Sequence, residues 1–466
     1  KVAARSIHAM HSANTAVDLD SQGNQLTFQS ALASPEGHIW LAKHGEEIER
    51  LFTSGTMRLI MRESIPEGKK PAYYNPQVRT KIKDGQLQYR VRGTIGGNQV
   101  TYLGDKSAHT ASMQLIKILC NAVVSDKDAK FMTADIKDFY LGTPLPSPEY
   151  MRINLDHIPD NIIDKYDMRP FAYNNAVVVE VNKGIYGLPQ AGKLAQDRLI
   201  KHLAKHGYHQ ATNTPCLFRH SSNSVAFTLV VDDFGIKYTN DADADHLLRV
   251  LRELYVMTED RGTEQKYVGI TIQHDRQRRR MRLSMPGYIE KAIQRFGQAK
   301  QRGAKSPIIY EPPQYGQAQQ YVTEPTADEQ QLVDAKTKTF VQEVIGVLLF
   351  YSRAVDPTML MAVNKISTQT AKPTRATLKA IDRLLSYAER YPNATLEIRP
   401  SNMQLCAQSD ASYLSEYNAR SRAGALFYFG LNQEGVVNGM VDYMSMVIPT
   451  VCSSVAEAEY AALFLA

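Results

Sequence analysis

Two apolar stretches of this chain end in aspartate: "FMTAD", closing on Asp135, and "FTLVVDD", closing on Asp232 and Asp233. Burying even an uncharged polar group without a partner costs about 2–7 kcal/mol. Adjacent carboxylates at the tip of an apolar hairpin therefore need something positive to face them. If the two strands are neighbours in one sheet, three carboxylates converge at one edge. Such a set binds a pair of divalent cations roughly 3.5–4 Å apart, activating an attacking oxygen and stabilising a leaving one in phosphoryl transfer. Mg2+ suits it, because Mg2+ prefers oxygen ligands and is readily shared with substrate phosphates. Taken one at a time, each aspartate reads equally well as an ordinary turn residue.

The elements that must position these groups follow from period and punctuation. A helical pattern runs from Pro35 to about Leu59 with Trp40, Ile48 and Leu51 near one face. "KIKDGQLQYRVRGTIGGNQVTYLG" alternates and carries Asp-Gly and Gly-Gly signals, which predict two hairpins, with Arg90 and Arg92 on one side of a strand. A helix at "TASMQLIKILCNAVV" leads into the strand of Asp135, and "FAYNNAVVVEVNKGIYGLPQ" predicts a strand and tight turn. "AGKLAQDRLIKHLAKHG" reads as an amphipathic helix burying Leu199, Leu203 and Ala204 and stopping at Gly207. After the Asp232–Asp233 hairpin come a helix at "ADHLLRVLRELY", a hairpin with an arginine run at its tip, and a helix with Tyr288, Ile289, Ala292, Ile293 and Phe296 inward. Pro, Gln, Gly and Tyr between Ser306 and Glu329 mark a linker; helices resume, and the last segment alternates before a helical "SSVAEAEYAALFLA".

At 466 residues the chain exceeds one compact core, so two to four domains are expected. Cys120, Cys216, Cys406 and Cys452 lie far apart without CxxC spacing, which argues against a disulfide framework or a zinc site and for a reducing compartment. No apolar run nears the roughly 20 residues of a membrane span, and no signal peptide is seen. His8 and His11 read as surface residues of an extended arm, and a start at Lys1 without methionine points to a processed or trimmed product. The net charge of +6 is uneven: ten basic residues against Glu290 alone lie between Arg276 and Lys305. A run of this kind suits a polyanion, or else a solvated face.

"TADIKDFYLG", "KGIYGLPQAGK" and "TLVVDDFGIKY", in this order, resemble the palm of a reverse transcriptase, and most closely that of copia-type long-terminal-repeat retrotransposons. "KIKDGQLQYRVRG" upstream and "KYVGITI", "RLSMPGYIEKAIQRFG" and "VIGVLLFYSRAVDPTMLMAVNKIS" downstream extend the likeness, and "SDASYL" and "SSVAEAEY" resemble the start of a ribonuclease H domain, so it covers roughly residues 30 to 466. The resemblance implies an α+β chain with a right-hand polymerase (fingers, palm, thumb), a connection region and a partial RNase H-like α/β domain. The expected boundaries are 1–34 arm, 35–134 fingers with the start of the palm, 135–240 palm with inserted fingers elements, 241–305 primer grip and thumb, 306–400 linker and connection, and 401–466 partial RNase H.

Carried over by position, Asp135, Asp232 and Asp233 are the catalytic and metal-binding carboxylates. Tyr140, five residues after Asp135, is the aromatic under the incoming sugar that excludes a 2′-hydroxyl. Gln190 matches a glutamine contacting the nucleotide. Arg92, with or without Arg90, lies over the triphosphate. Val268 and Gly269 resemble the primer grip, and Arg278, Arg279 and Arg280 would then meet the template–primer backbone, where phosphate contacts give affinity without reading sequence. Asp410 matches the first RNase H carboxylate and Glu459 the second, with Glu457 as runner-up. The two later aspartates of that site are absent before Ala466, so weak or no RNA cleavage is expected. Val230 departs from the pattern, standing where the family usually has a tyrosine two residues before the aspartate pair.

The reading is an RNA- and DNA-directed DNA polymerase using two Mg2+ ions, with Mn2+ as a substitute. Its implied partners are an RNA template, a DNA or RNA primer, RNA/DNA hybrid and dNTPs, without a membrane. The location implied is intracellular: cytoplasmic and particle-associated, or nuclear. The alternative is a domesticated RNA-binding scaffold keeping the fold; loss of a palm aspartate would mark it, and all three are present.

Overall fold

The structure, a computed structural model, describes residues 26–83, 86–297, 303–309, 326–416, 419–430 and 437–466. The arm with His8 and His11, and 310–325 of the expected linker, lie outside the described residues.

Helices α1 (Phe28–Leu32) and α2 (Gly37–Thr53) come first, and α2 buries Trp40, Ile48 and Leu51 as the pattern predicts. It ends before the pattern does. Gly55 adopts a left-handed φ of 66°, and the chain leaves as strand β1 (Met57–Ile60). Five strands form one sheet in the order β1-β6-β5-β2-β3, with β2 Ala72–Lys83, β3 Gln86–Ile95, β5 Pro144–Asn154 and β6 Ala176–Lys183. One hairpin forms where two were expected. Gly96 and Gly97 do not turn the strand back; they allow close approach, since a Cβ on Gly97 would lie 2.1 Å from the Gly187 carbonyl oxygen. The Gly-Gly signal therefore marks two loops in contact: the Ile95 N–H donates to the Tyr186 carbonyl at 2.9 Å.

A second, fully antiparallel sheet has the order β11-β4-β10-β9-β8-β7. It contains β4 (Lys130–Ile136), β7 (Tyr208–Ala211), β8 (Thr214–His220), β9 (Ala226–Val230), β10 (Asp233–Tyr238) and β11 (Met257–Asp260). Helices α3 (Met113–Ser125), α5 (Ala191–Lys205) and α6 (Asp241–Arg252) share its core, and the short α4 (Asp160–Lys165) packs with the first sheet. On α5, Leu199 and Leu203 are buried but Ala204 is exposed. His202 takes the expected inward place instead. Its Nε2 lies 2.7 Å from the Val250 carbonyl and must donate to it, satisfying a last-turn acceptor of α6.

Strands β12 (Glu264–Tyr267), β13 (Ile270–Asp275) and β14 (Arg280–Ser284) are completed by β15 (Thr395–Ile398), which arrives from beyond the linker. Helices α7 (Tyr288–Phe296), α8 (Ala335–Ala354), α9 (Leu360–Ser367) and α10 (Arg375–Arg390) pack with this sheet into the core of the second one. The last unit is a three-stranded sheet, β16 (Leu405–Glu416), β17 (Arg420–Phe429) and β18 (Asp442–Val447), carrying α11 (Val455–Leu465) over its own small core. The described residues are α+β. Among the described residues no helix is long and apolar enough to cross a membrane.

Candidate active site

Strand register brings the aspartates together. Asp233 on β10 stands opposite Asp135 on β4. Asp233 also pairs with Val230, leaving Val231 and Asp232 as a two-residue turn. Val231 sits at φ 62°, where a β-branched residue is strained, at a cost on the order of 1–3 kcal/mol. The turn is held from behind: the Ile136 N–H donates to the Asp232 carbonyl at 3.0 Å.

Burial pushes all three carboxyls upward, and repulsion adds to it, from Asp138 at Asp135 and from the site's own charges at Asp232 and Asp233, which rise to about 6 and about 7. Opposite charge comes from Arg90 and Arg92, which act on Asp135, and from Arg92 on Asp232. Three half-buried carboxylates brought to one sheet edge are a donor set short of cations, and their oxygens suit Mg2+. The residues fit that ion. Among the described residues, the His/Cys/Asp/Glu set already within 4.8 Å is elsewhere, His202, His206 and Glu253, and there the His202 Nε2 is committed to Val250.

Two of the residues expected on the nucleotide side, Arg92 and Tyr140, meet through Tyr186 beside the aspartates. The Arg92 guanidinium carbon lies 3.9 Å from the Tyr186 ring centroid, and its buried Nε has no hydrogen-bond partner. Tyr186 meets Tyr140 edge to face at 5.2 Å. Burial first, and the Asp232 charge second, push the Tyr140 hydroxyl up to about 12. Tyr140 packs against the cores of both large sheets, and a Cβ on Gly192 would lie 3.9 Å from its hydroxyl. Arg90 is two residues outward on β3 and exposed.

Other expected site residues fall differently. Gln190 is 2 % exposed at the start of α5; its Nε2 donates to Glu149 Oε1 at 3.2 Å and its Oε1 has no partner. Val268 (φ 51°) and Gly269 (φ 77°) make the β12–β13 turn next to the site. Tyr267 anchors that turn, donating its hydroxyl to the Thr228 carbonyl at 3.0 Å across a bare Gly235.

The arginine tip lies at the other end of β13. Arg279 Nε and Nη2 donate to the Val124 and Ser125 carbonyls at 3.1 and 2.6 Å, capping α3 just before β4 begins. Asp135 is five residues along β4 from Lys130, about 17 Å at strand rise. Arg280 pairs with Glu397 at 3.4 Å, and the exposed Arg278 reaches Asp275 at 3.8 Å. Orphan carbonyls and a distant glutamate hold this run, so the tip does not flank the aspartates.

In the last unit, Asp410 lines a cavity with Leu360 and Met361 of α9, whereas α11 packs on Ala411 and Tyr413. Alternation along β16 thus turns Asp410 to the face away from the helix carrying Glu457 and Glu459. The structure does not bring Asp410 and Glu459 together. Val230 is partly buried against the core and offers no polar atom.

Sequence reasoning missed Tyr186 and the trio Glu47, Arg50 and Asp138. Glu47 is 5 % exposed on the inner face of α2. A carboxylate three residues before an arginine at an otherwise apolar helix position was the available signal.

Three carboxylates thus stand at the turn end of an antiparallel sheet, with the charge of Arg92 on a neighbouring hairpin acting on two of them, a layout that fits the palm the motifs resemble. A family model described as "Reverse transcriptase (RNA-dependent DNA polymerase)" matches residues 64–310, more than half of the chain. The chain belongs to the reverse transcriptase family. It is 23% identical over 446 residues to the retrovirus-related Pol polyprotein from transposon TNT 1-94 of Nicotiana tabacum, covering 94% of this chain and 31% of that one, in accord with the copia-type motifs. The chain thus spans about a third of that relative's length. Among solved structures it is similar to a foamy viral protease-reverse transcriptase dRH in complex with ds DNA (TM-score 0.47, 12% identity, 90% of this chain and 58% of that one). A second is the foamy viral protease-reverse transcriptase in complex with RNA/DNA hybrid (TM-score 0.46, 12% identity, 91% and 45%).

Proposed function

We propose that this chain extends a primer 3′-hydroxyl with dNTPs on an RNA or DNA template, the hydroxyl attacking the α-phosphate in line and pyrophosphate leaving. The observation that carries the reading is the register of Asp135 against Asp233 with Asp232 in the adjoining turn. These three would hold two Mg2+ ions, or Mn2+, which supply a lowered pKa for the attacking hydroxyl and charge neutralisation for the leaving oxygen. Arg92, fixed on the Tyr186 ring with an uncommitted Nε, neutralises the triphosphate. Tyr140 closes the floor under the sugar, and the Val268–Gly269 turn steadies the primer end. The segment with Asp410 and Glu459 is an RNase H-like unit whose carboxylates lie on separate faces, so little RNA cleavage is proposed for this chain. Its setting, by family resemblance, is intracellular: a cytoplasmic particle, or the nucleus.

Primer extension on an RNA template with Mg2+ tests the reading. Asp232→Asn should lower the rate about 100-fold or more, since it removes a metal-binding charge. Equal product from both chains would sink the assignment of the metal site.

A further inference from the structure

The trio that the sequence reading missed links the two halves of the nucleotide patch. Arg50 on α2 forks onto Glu47 of the same helix, Nε to Oε2 and Nη2 to Oε1, both at 2.8 Å. Its Nη1 pairs with Asp138, three residues after Asp135. Glu47 Oε1 also accepts the Gly93 backbone N–H at 2.8 Å, and Gly93 follows Arg92 directly. One guanidinium therefore spans the loop after the first aspartate and the strand that carries the triphosphate arginine.

The backbone at both ends is specialised for this contact. Asp138 has a φ of 54°, in the left-handed region. At Gly93 a Cβ would lie 2.6 Å from the Tyr74 hydroxyl and 3.1 Å from a Leu51 methyl, so only a bare position lets the strand approach α2. Glu47, 5 % exposed, cannot exchange its partners for water without opening the packing. Arg92 has no polar partner of its own at Nε; ring contact with Tyr186 and the anchoring of Gly93 are what orient it. Tyr186 in turn touches Tyr140.

We propose that Glu47, Arg50 and Asp138 form a positioning clamp that holds Arg92 over the incoming nucleotide's phosphates, making Arg50 a determinant of dNTP affinity that touches no substrate. The proposal rests on the polymerase reading above. Lysine cannot replace Arg50, because an ammonium lacks the fork that meets two carboxylates at once.

The test is single-nucleotide incorporation by the full 466-residue chain, with kcat and KM for dNTP measured separately. Arg50→Gln and Arg50→Lys should each raise KM about tenfold while kcat changes less than about threefold, as loss of uniform binding requires. Glu47→Gln should raise KM by a smaller factor, since its amide oxygen still accepts from Gly93. In a chain already carrying Arg92→Ala, the Arg50 substitutions should add little, because the clamp acts through Arg92. Full additivity, an unchanged KM, or a matched loss in kcat, KM and melting temperature would overturn the clamp while leaving the polymerase reading intact. Failure of the unaltered chain to extend any primer would overturn both.

Discussion

Tyr140 is built in from three sides. Phe139 lies 5.7 Å away, Tyr186 5.2 Å away, and the Gly184–Gly192 stretch passes behind, where a Cβ on Gly184 would be 2.7 Å from the Tyr140 carbonyl oxygen. A ring held this firmly acts as a wall, and a wall discriminates by size. Tyr140→Ala should raise incorporation of ribonucleotides relative to deoxynucleotides about tenfold or more, the scale at which a pocket loses steric rejection of one group. Tyr140→Phe keeps the ring and should leave the ratio unaltered. Competition assays with matched rNTP and dNTP would measure it, and no change for the alanine variant would remove Tyr140 from the sugar gate. The alanine chain should also lose stability, on the order of 2–3 kcal/mol for a partly buried aromatic.

At the scale of elements, the arginine hairpin is also a helix cap. Arg279 at φ 51° turns the β13–β14 tip toward the end of α3, where last-turn carbonyls have no intrahelical donors. Arg279→Ala should therefore cost about 1–2 kcal/mol of stability and leave template–primer affinity unchanged, as thermal melts and a binding titration would show. A clear fall in affinity with its salt slope would instead mark a phosphate contact. What the sequence made legible here is local: the strands at Asp135 and Asp233, the α5 stop at Gly207 and the hairpin tip all follow from period and turn residues. Partners distant in sequence were not legible. Arg279 finds carbonyls 154 and 155 residues away, Arg50 finds Asp138 88 residues away, and Gln190 finds Glu149 41 residues away. Periodicity tells which face is inward but not what waits there, so a charge run expected to meet the template–primer backbone is in part a helix cap.

Across the whole molecule, α3 is the element on which separate units meet. Gln114 donates to Asp442 of β18 at 3.0 Å, Asn121 accepts from Ser401 at 2.7 Å, and Lys117 donates to the Arg353 carbonyl at the end of α8 at 2.6 Å. Lys117 is wholly buried, and burial, reinforced by the Arg353 charge and opposed by Asp442, lowers its pKa from the usual lysine value to about 7. The folded chain thus sheds this proton about three pH units before the unfolded chain does. Between about pH 7 and 10 the unfolded state binds more protons than the folded one, so stability rises with pH in that window. From pH 7 to 9 the gain attributable to Lys117 is on the order of 2 kcal/mol. Denaturant melts at pH 7 and 9 should show that rise for the unaltered chain. Lys117→Met fills the same volume without a titrating group and should flatten it, while losing the bond to Arg353 that joins α3 to α8. A slope identical in both chains would mean that Lys117 stays charged in the fold, with Asp442 outweighing burial and holding the units together as an ion pair.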